Sequence, residues 1–315
     1  MSGELTDWWT SARFLFFFIR VLQVVLLAAT NFLLLSVILY HRSLRKRKQY
    51  VVIWGVSFVD FLFGAATLGH SMHTMYTLLT NKPKASFTRL DCLLTLHIFT
   101  LVYSMSAQGC LLVVQGLDRL LAIGAPFTYY KLRARYAWRL IGTALVLVCL
   151  ECSAFLCLSY LDRTTFQGTN CVPNKALTPL SFRFWSRLHL ICGCLSVLSF
   201  VVVMSMYNRH LNKTAPSNSM SLSRQRRLAE QRRITVSMSI SCLFTFALVV
   251  APTVALAQSM GSKQVQAVLP FLFNFYALNP LLNLFIYLRR HKEIAHGVVR
   301  MFSGQQLPRN LDQLL

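Results

Sequence analysis

Long apolar stretches alternate with short polar ones along the whole chain. Seven of them, at about 14–40, 50–79, 93–121, 138–160, 187–208, 234–258 and 265–288, hold most of the apolar residues. A helix needs roughly 20 residues to cross a hydrocarbon core, and every stretch meets that length. Breaks at 81–84, 167–174 and 215–219 are polar or contain Pro or Gly. No period-two alternation recurs, which argues against a membrane β-barrel. The first stretch is too long for a cleavable signal, lacks a basic leader and runs into the basic segment 42–48. The pattern predicts an all-α membrane protein, a seven-transmembrane helix bundle over 14–288.

Composition agrees, and charge adds a direction. Hydrophobic residues make up 55% of the 315 residues and charged ones 13%, about half the usual charged share. That apolar content excludes a disordered chain. The net charge of +22, from 32 basic and 10 acidic residues, would suit a nucleic-acid binder in a soluble chain. Its placement says otherwise. Most of the cations fall in the breaks and flanks around 42–48, 131–139, 209–233 and 289–309, all on one side of the predicted membrane. The basic side is cytoplasmic by the positive-inside rule. Residues 1–13 are then an extracellular N-terminus, and the C-terminus is cytoplasmic. Residues 289–303 alternate basic and apolar groups, as an amphipathic eighth helix on an anionic inner leaflet would. Residues 304–315 form a short tail.

Ionisable residues inside a membrane are expensive and mark function. Asp60, Asp118, Arg119 and Glu151 lie within the apolar stretches. Asn31, Asn279 and Asn283 are the amides best placed to meet Asp60, either around a cation or as a polar knot that fixes helix packing. Seven of the nine cysteines sit in apolar stretches, where cysteine behaves as a small hydrophobe. Cys92 and Cys171 fall on the outer, oxidising side, which suits a disulfide and equally permits two free thiols. His70 and His73 lie one helical turn apart, too little to make a metal site.

These residues occur in a recognisable order. Asn31, Asp60, Asp118-Arg119-Leu120, Pro126, Pro252, Asn279-Pro280 and Asn283-Leu284-Phe285-Ile286-Tyr287 follow one another at matching depths. Over residues 14–303 the chain resembles a divergent rhodopsin-like (class A) G-protein-coupled receptor, more similar to chemosensory and orphan receptors than to peptide receptors. Asp118-Arg119-Leu120 is similar to the family's Asp-Arg-Tyr motif, and residues 283–287 to its Asn-Pro-x-x-Tyr motif. The resemblance implies a Cys92–Cys171 disulfide. It also implies an activation switch in which Arg119 leaves Asp118 for Tyr207 and Tyr287, with Pro252 kinking the sixth helix and Asn283 beside Tyr287. The partners it implies are a heterotrimeric G protein and an extracellular ligand, at the plasma membrane.

Several positions depart from the family. Leu284 replaces the seventh-helix proline, Val249-Val250 replaces the aromatic before Pro252, and the fifth helix has no proline. Trp138 is at the cytoplasmic end of the fourth helix, and Cys92 is farther from Arg119 than usual. Gln231-Arg232-Arg233 stands where many members carry an acid that restrains the arginine, so raised basal activity is expected. The family binds sodium at the second-helix aspartate. Here Gln108 replaces a small serine, and its amide is able to take the ion's place beside Asp60.

Positions counted from these motifs predict a pocket of Leu101, Ser104, Met105, Thr253, Val254, Ala257 and Phe273, with Ala277 nearby and Arg187 at the rim. Leu101 stands where amine receptors carry an acid, and the seventh stretch has no lysine for retinal. An apolar pocket with few polar groups suits a small organic ligand. The rival reading, a transporter or channel, needs a continuous polar path, and only Asp60 and its amides lie deep. An enzyme needs a catalytic constellation that the outer face lacks.

Overall fold

A computed structural model describes residues 2–80, 85–162, 164–168, 171–213 and 291–305, with 236, 239–240, 243–244, 246–250, 252, 277–279, 281–282 and 285–289. Among these, five helices are long and apolar enough to span a membrane. They are α1 (Ser2–Tyr40), α2 (Lys48–Leu79), α3 (Leu96–Gly124), α4 (Ala134–Leu161) and α5 (Pro179–Lys213). Each covers one of the first five predicted stretches. The sixth and seventh stretches fall mostly outside the described residues. A π-helical turn, Phe246–Val250, lies just ahead of Pro252, whose ring nitrogen cannot donate to the helix.

Each helix shows lipid and protein different faces. Phe18, Leu22 and Leu26 on α1, Leu147, Leu150 and Leu161 on α4, and Leu195 and Leu198 on α5 are exposed, as lipid-facing residues are. α3 is the axis. Its buried residues include Leu101, Met105, Leu111, Asp118 and Arg119, and it packs against α2, α4 and α5. Two glycines set the closest approaches. A Cβ on Gly64 would overlap Leu27 of α1, and one on Gly116 would overlap Ser199 Oγ of α5. Small residues at such crossings let helix backbones meet in a membrane.

The outer ends are fastened together. Strands β1 (Ala85–Thr88) and β2 (Thr165–Gly168) pair antiparallel, with Ala85 opposite Gly168 and Thr88 opposite Thr165. The short helix Arg89–Leu94 follows, with a capping box in which Asp91 N donates to Thr88 Oγ1 (3.1 Å) and Thr88 N to Asp91 Oδ2 (2.9 Å). Cys92 in that helix is disulfide-bonded to Cys171, with Cα atoms 5.5 Å apart. The free-thiol alternative is thereby closed. Thr95, extended at ψ 120°, separates this helix from α3, so the extra length between Cys92 and Arg119 is absorbed by a break.

Arg89 completes the fastening. Its Nη1 donates to the carbonyls of Lys175 (3.0 Å) and Leu177 (2.8 Å), and its Nε donates to Thr164 Oγ1 (3.1 Å). The same Nε is 2.9 Å from Asp162 Oδ2. Hydrogen bonds from Thr164, with Arg89 beside it, hold the Asp162 carboxyl below the usual carboxylate range.

At the inner end, helix Lys292–Phe302 docks on the turn between α1 and α2. Buried His41 Nε2 meets the Gly297 carbonyl at 2.8 Å, and Arg47 Nη1 lies 3.5 Å from Glu293 Oε1. Ile294 packs into a cluster with Leu34, Ile38, Leu44, Tyr50 and Tyr287, while Val299 and Phe302 face outward.

Replacing both Cys92 and Cys171 by serine is expected to cost about 2–5 kcal/mol of stability. Arg89→Lys is expected to lose most of what Arg89→Ala loses, because an ammonium cannot reproduce the guanidinium fork. Unfolding midpoints of the purified protein in detergent check both, and an Arg89→Lys midpoint equal to wild type would contradict the second.

Candidate functional site

Helix α3 carries polar side chains at three levels, and each level meets different partners. At the inner end, Asp118 is fully buried and Arg119 is 3% exposed. Arg119 Nε donates to Asp118 Oδ2 at 3.0 Å, and its Nη2 makes a second, shorter contact with the same oxygen. Tyr129 joins them. Its hydroxyl accepts from Arg119 Nη2 (3.2 Å) and lies 3.4 Å from Asp118 Oδ2. Burial pushes the Tyr129 hydroxyl above the ordinary phenol range, so it remains a neutral donor and acceptor.

Tyr129 is placed by a short helix, Pro126–Lys131, that begins on Pro126, where a missing N–H costs nothing. Lys48, the first residue of α2, donates to the Tyr129 carbonyl and sits 3.7 Å from the ring centroid. A charge pair on α3 is thus bridged through one tyrosine to the start of α2. In this arrangement Arg119 holds the partner expected at rest, Asp118. Tyr287 is buried nearby in the inner cluster with Leu112 and Phe200. Pro252 is half-buried; Asn283 and the side chain of Tyr207 lie outside the described residues.

At the middle level, Gln108 Nε2 donates to Asp60 Oδ1 at 2.8 Å, both side chains being buried. Asn279 is buried as well, while the Asn31 amide nitrogen donates to its own helix at Leu27 O (3.0 Å). This donor set does not fit a sodium ion well. A carboxyl oxygen selects the nitrogen end of the Gln108 amide, and that N–H occupies one of the two Asp60 oxygens a cation would use.

At the outer level, Leu101, Ser104 and Met105 are buried, and the Ser104 hydroxyl donates to the Leu101 carbonyl (3.0 Å). Ala277 joins Leu101, Met105 and Trp185 in one apolar cluster. Thr253, Val254, Ala257 and Phe273 lie outside the described residues. Arg187 is exposed on α5, not turned toward the α3 residues. The inward face of α5 follows the helical period through Phe182, Trp185, Ser186 and His189, all buried. Trp185 Nε1 donates to Ser106 Oγ (3.0 Å), and His189 bridges Met105 O (2.7 Å) and Trp185 O (3.0 Å) through its two ring nitrogens.

Trp185, His189 and Tyr129 are site residues that motif counting passes over. The spacing of 182, 185, 186 and 189 carries the signal for the first two. Nothing in local periodicity marks Tyr129.

Known proteins are similar in sequence to this chain over nearly its whole length. The family model for the serpentine type 7TM GPCR chemoreceptor Srsx matches residues 24–302. Olfactory receptor 7A42 of Mus musculus is 25% identical over 294 residues, covering 91% of this chain and 91% of that protein. Olfactory receptor 4Q2 of Homo sapiens is 23% identical over 310 residues, covering 92% and 87%. The matched span contains all three polar levels of α3, the disulfide and the docked terminal helix. The chain is a multi-pass membrane receptor and belongs to the serpentine 7TM chemoreceptor family of G-protein-coupled receptors.

Proposed function

We propose that this receptor binds a small organic ligand from outside and activates heterotrimeric G proteins at its cytoplasmic face. The observation that carries the reading is the buried Asp118–Arg119–Tyr129 knot at the inner end of α3. A guanidinium in this position stays buried only while acceptors surround it. Its release toward Tyr207 and Tyr287 would open a cavity between the helices, and a ligand biases that equilibrium by binding the open form better. The charge pattern supports an outer N-terminus and an inner C-terminus, and the basic inner face suits both anionic lipid and a docking partner.

The pocket is the apolar space beside the outer half of α3. Leu101, Ser104 and Met105 line it, with Trp185 and His189 from α5 in the place first given to Arg187. From the later helices the sequence assigns Thr253, Val254, Ala257 and Phe273. Two relatives bear the name olfactory receptor, which supports a chemosensory ligand. The step of activation runs through Arg119 and is not routed through a sodium ion.

Without an acid at 231–233 to restrain Arg119, guanine-nucleotide exchange in ligand-free membranes is expected to exceed that of Arg119→Ala. Equal exchange by the two would sink the proposal. Tyr129→Phe removes a hydrogen bond to a charged pair, worth about 1.5–3 kcal/mol, and should raise basal exchange by roughly tenfold to a hundredfold. Replacing sodium by an organic cation at constant ionic strength should leave wild-type exchange unchanged. Gln108→Ser should acquire a sodium response, and a wild-type response of the same size would show that the amide does not occupy the site.

A further inference from the structure

Two histidines one turn apart on α2 are joined in the structure by a third from α3. The His97 ring centroid lies 5.2 Å from that of His73 and 5.5 Å from that of His70, with interplanar angles of 35° and 40°. Gly69 makes this possible. A side chain there would meet His97 Cβ at 3.3 Å, so the missing Cβ lets α3 approach α2 at this height. His97 is the second residue of α3, which puts the cluster near the outer opening of the bundle.

Two ring nitrogens of the cluster, His70 Nδ1 and His97 Nε2, are buried with no hydrogen-bond partner among the described residues. Buried polar atoms almost always find one, and a pair of orphaned ring nitrogens on neighbouring helices needs an explanation. A shared metal ion supplies it. Two imidazoles on one tetrahedral zinc, at about 2.1 Å per bond, have ring centroids roughly 5.3 Å apart. Both observed separations fall close to that value. As placed, no three such side chains among the described residues could hold a metal ion, so one ring must turn to complete the set. Exposed His73 has room to rotate and close the set.

We propose that His97 with His73 and His70 forms a binding site for a borderline transition-metal ion such as zinc, linking α2 to α3 at the outer end. Neutral imidazoles supply the ligands and water fills the remaining position. The neighbouring charge of Arg20 on α1, which acts on His70, opposes a dication and keeps the site weaker than an all-neutral one. Helices α2 and α3 would then be bridged by a reversible bond in the oxidising, metal-accessible compartment. The inference is independent of G-protein coupling, because it is read on the purified receptor alone.

Zinc chloride is titrated into the full-length receptor in detergent, with the unfolding midpoint and competition against a zinc-sensitive dye as readouts. Wild type is expected to gain stability with zinc and not with magnesium, a hard cation that prefers oxygen ligands. His97→Gln and His73→Gln should each weaken zinc binding roughly tenfold or more. His296→Gln, on the exposed face of the terminal helix, should respond as wild type. His73 is exposed, so its replacement tests the site even where His97→Gln disturbs packing. Arg20→Gln should tighten binding. An unchanged zinc response in His73→Gln, or equal responses to zinc and magnesium in wild type, would overturn the proposal.

Discussion

Inside hydrocarbon no water completes a hydrogen bond, so every polar group on a spanning helix must find a partner in the protein. The arrangement of this receptor follows from where that demand is concentrated. Ser104, Ser106, Gln108, Gln115, Asp118 and Arg119 all lie on α3 and all are buried. α3 is the most buried of the five described spans, while most of α4 and α5 faces outward. A helix with that polar load cannot face lipid. It becomes the axis, and α2 and α5 are arranged around it by what they offer: Asp60 to Gln108, Trp185 to Ser106 and His189 to the Met105 carbonyl.

That logic separates what the sequence discloses from what it hides. Hydropathy marks the five spans within a few residues, because length and apolarity are properties of a segment by itself. α1 and α5 are the exceptions at their outer edges, starting at Ser2 and Pro179 and not near 14 and 187, since the turns added there mix polar with apolar residues. The Asp60–Gln108 pair and the Asp118–Arg119 pair are legible from buried charge and motif order. Tyr129, Arg89 and His97 are not. Each sits at a helix end or in a connection, where periodicity stops, and each acts on a partner from another segment. Strands β1 and β2 have four residues apiece, too short for alternation to show. The exposed setting of Arg187 follows from helix phase: Trp185, Ser186 and His189 take the inward face, which leaves residue 187 on the other.

The two ends of the bundle are held by different kinds of bond. Outside, the Cys92–Cys171 disulfide, the Arg89 hydrogen bonds and the β1–β2 ladder tie the second outer connection to the start of α3. Breaking them means breaking a covalent bond or several hydrogen bonds together. Inside, one guanidinium, one carboxylate, a phenol and the Lys48 ammonium form a set in which each member can change partner without any bond being lost for good. Rearrangement is therefore cheaper at the inner end.

Polar satisfaction along α3 shows the same gradient. In the outer half, the Ser104 and Ser106 hydroxyls and the Gln108 amide nitrogen each have a hydrogen-bond partner. In the inner half, both side-chain polar atoms of buried Gln115 and the Oδ1 of Asp118 have none among the described residues. An unmet buried polar group costs about 1–3 kcal/mol. At the outer end of the same helix, His97 Nε2 alone is left without one among the described residues. The larger unmet polar demand on α3 is therefore the one at its inner end, within the turn that leads to Asp118.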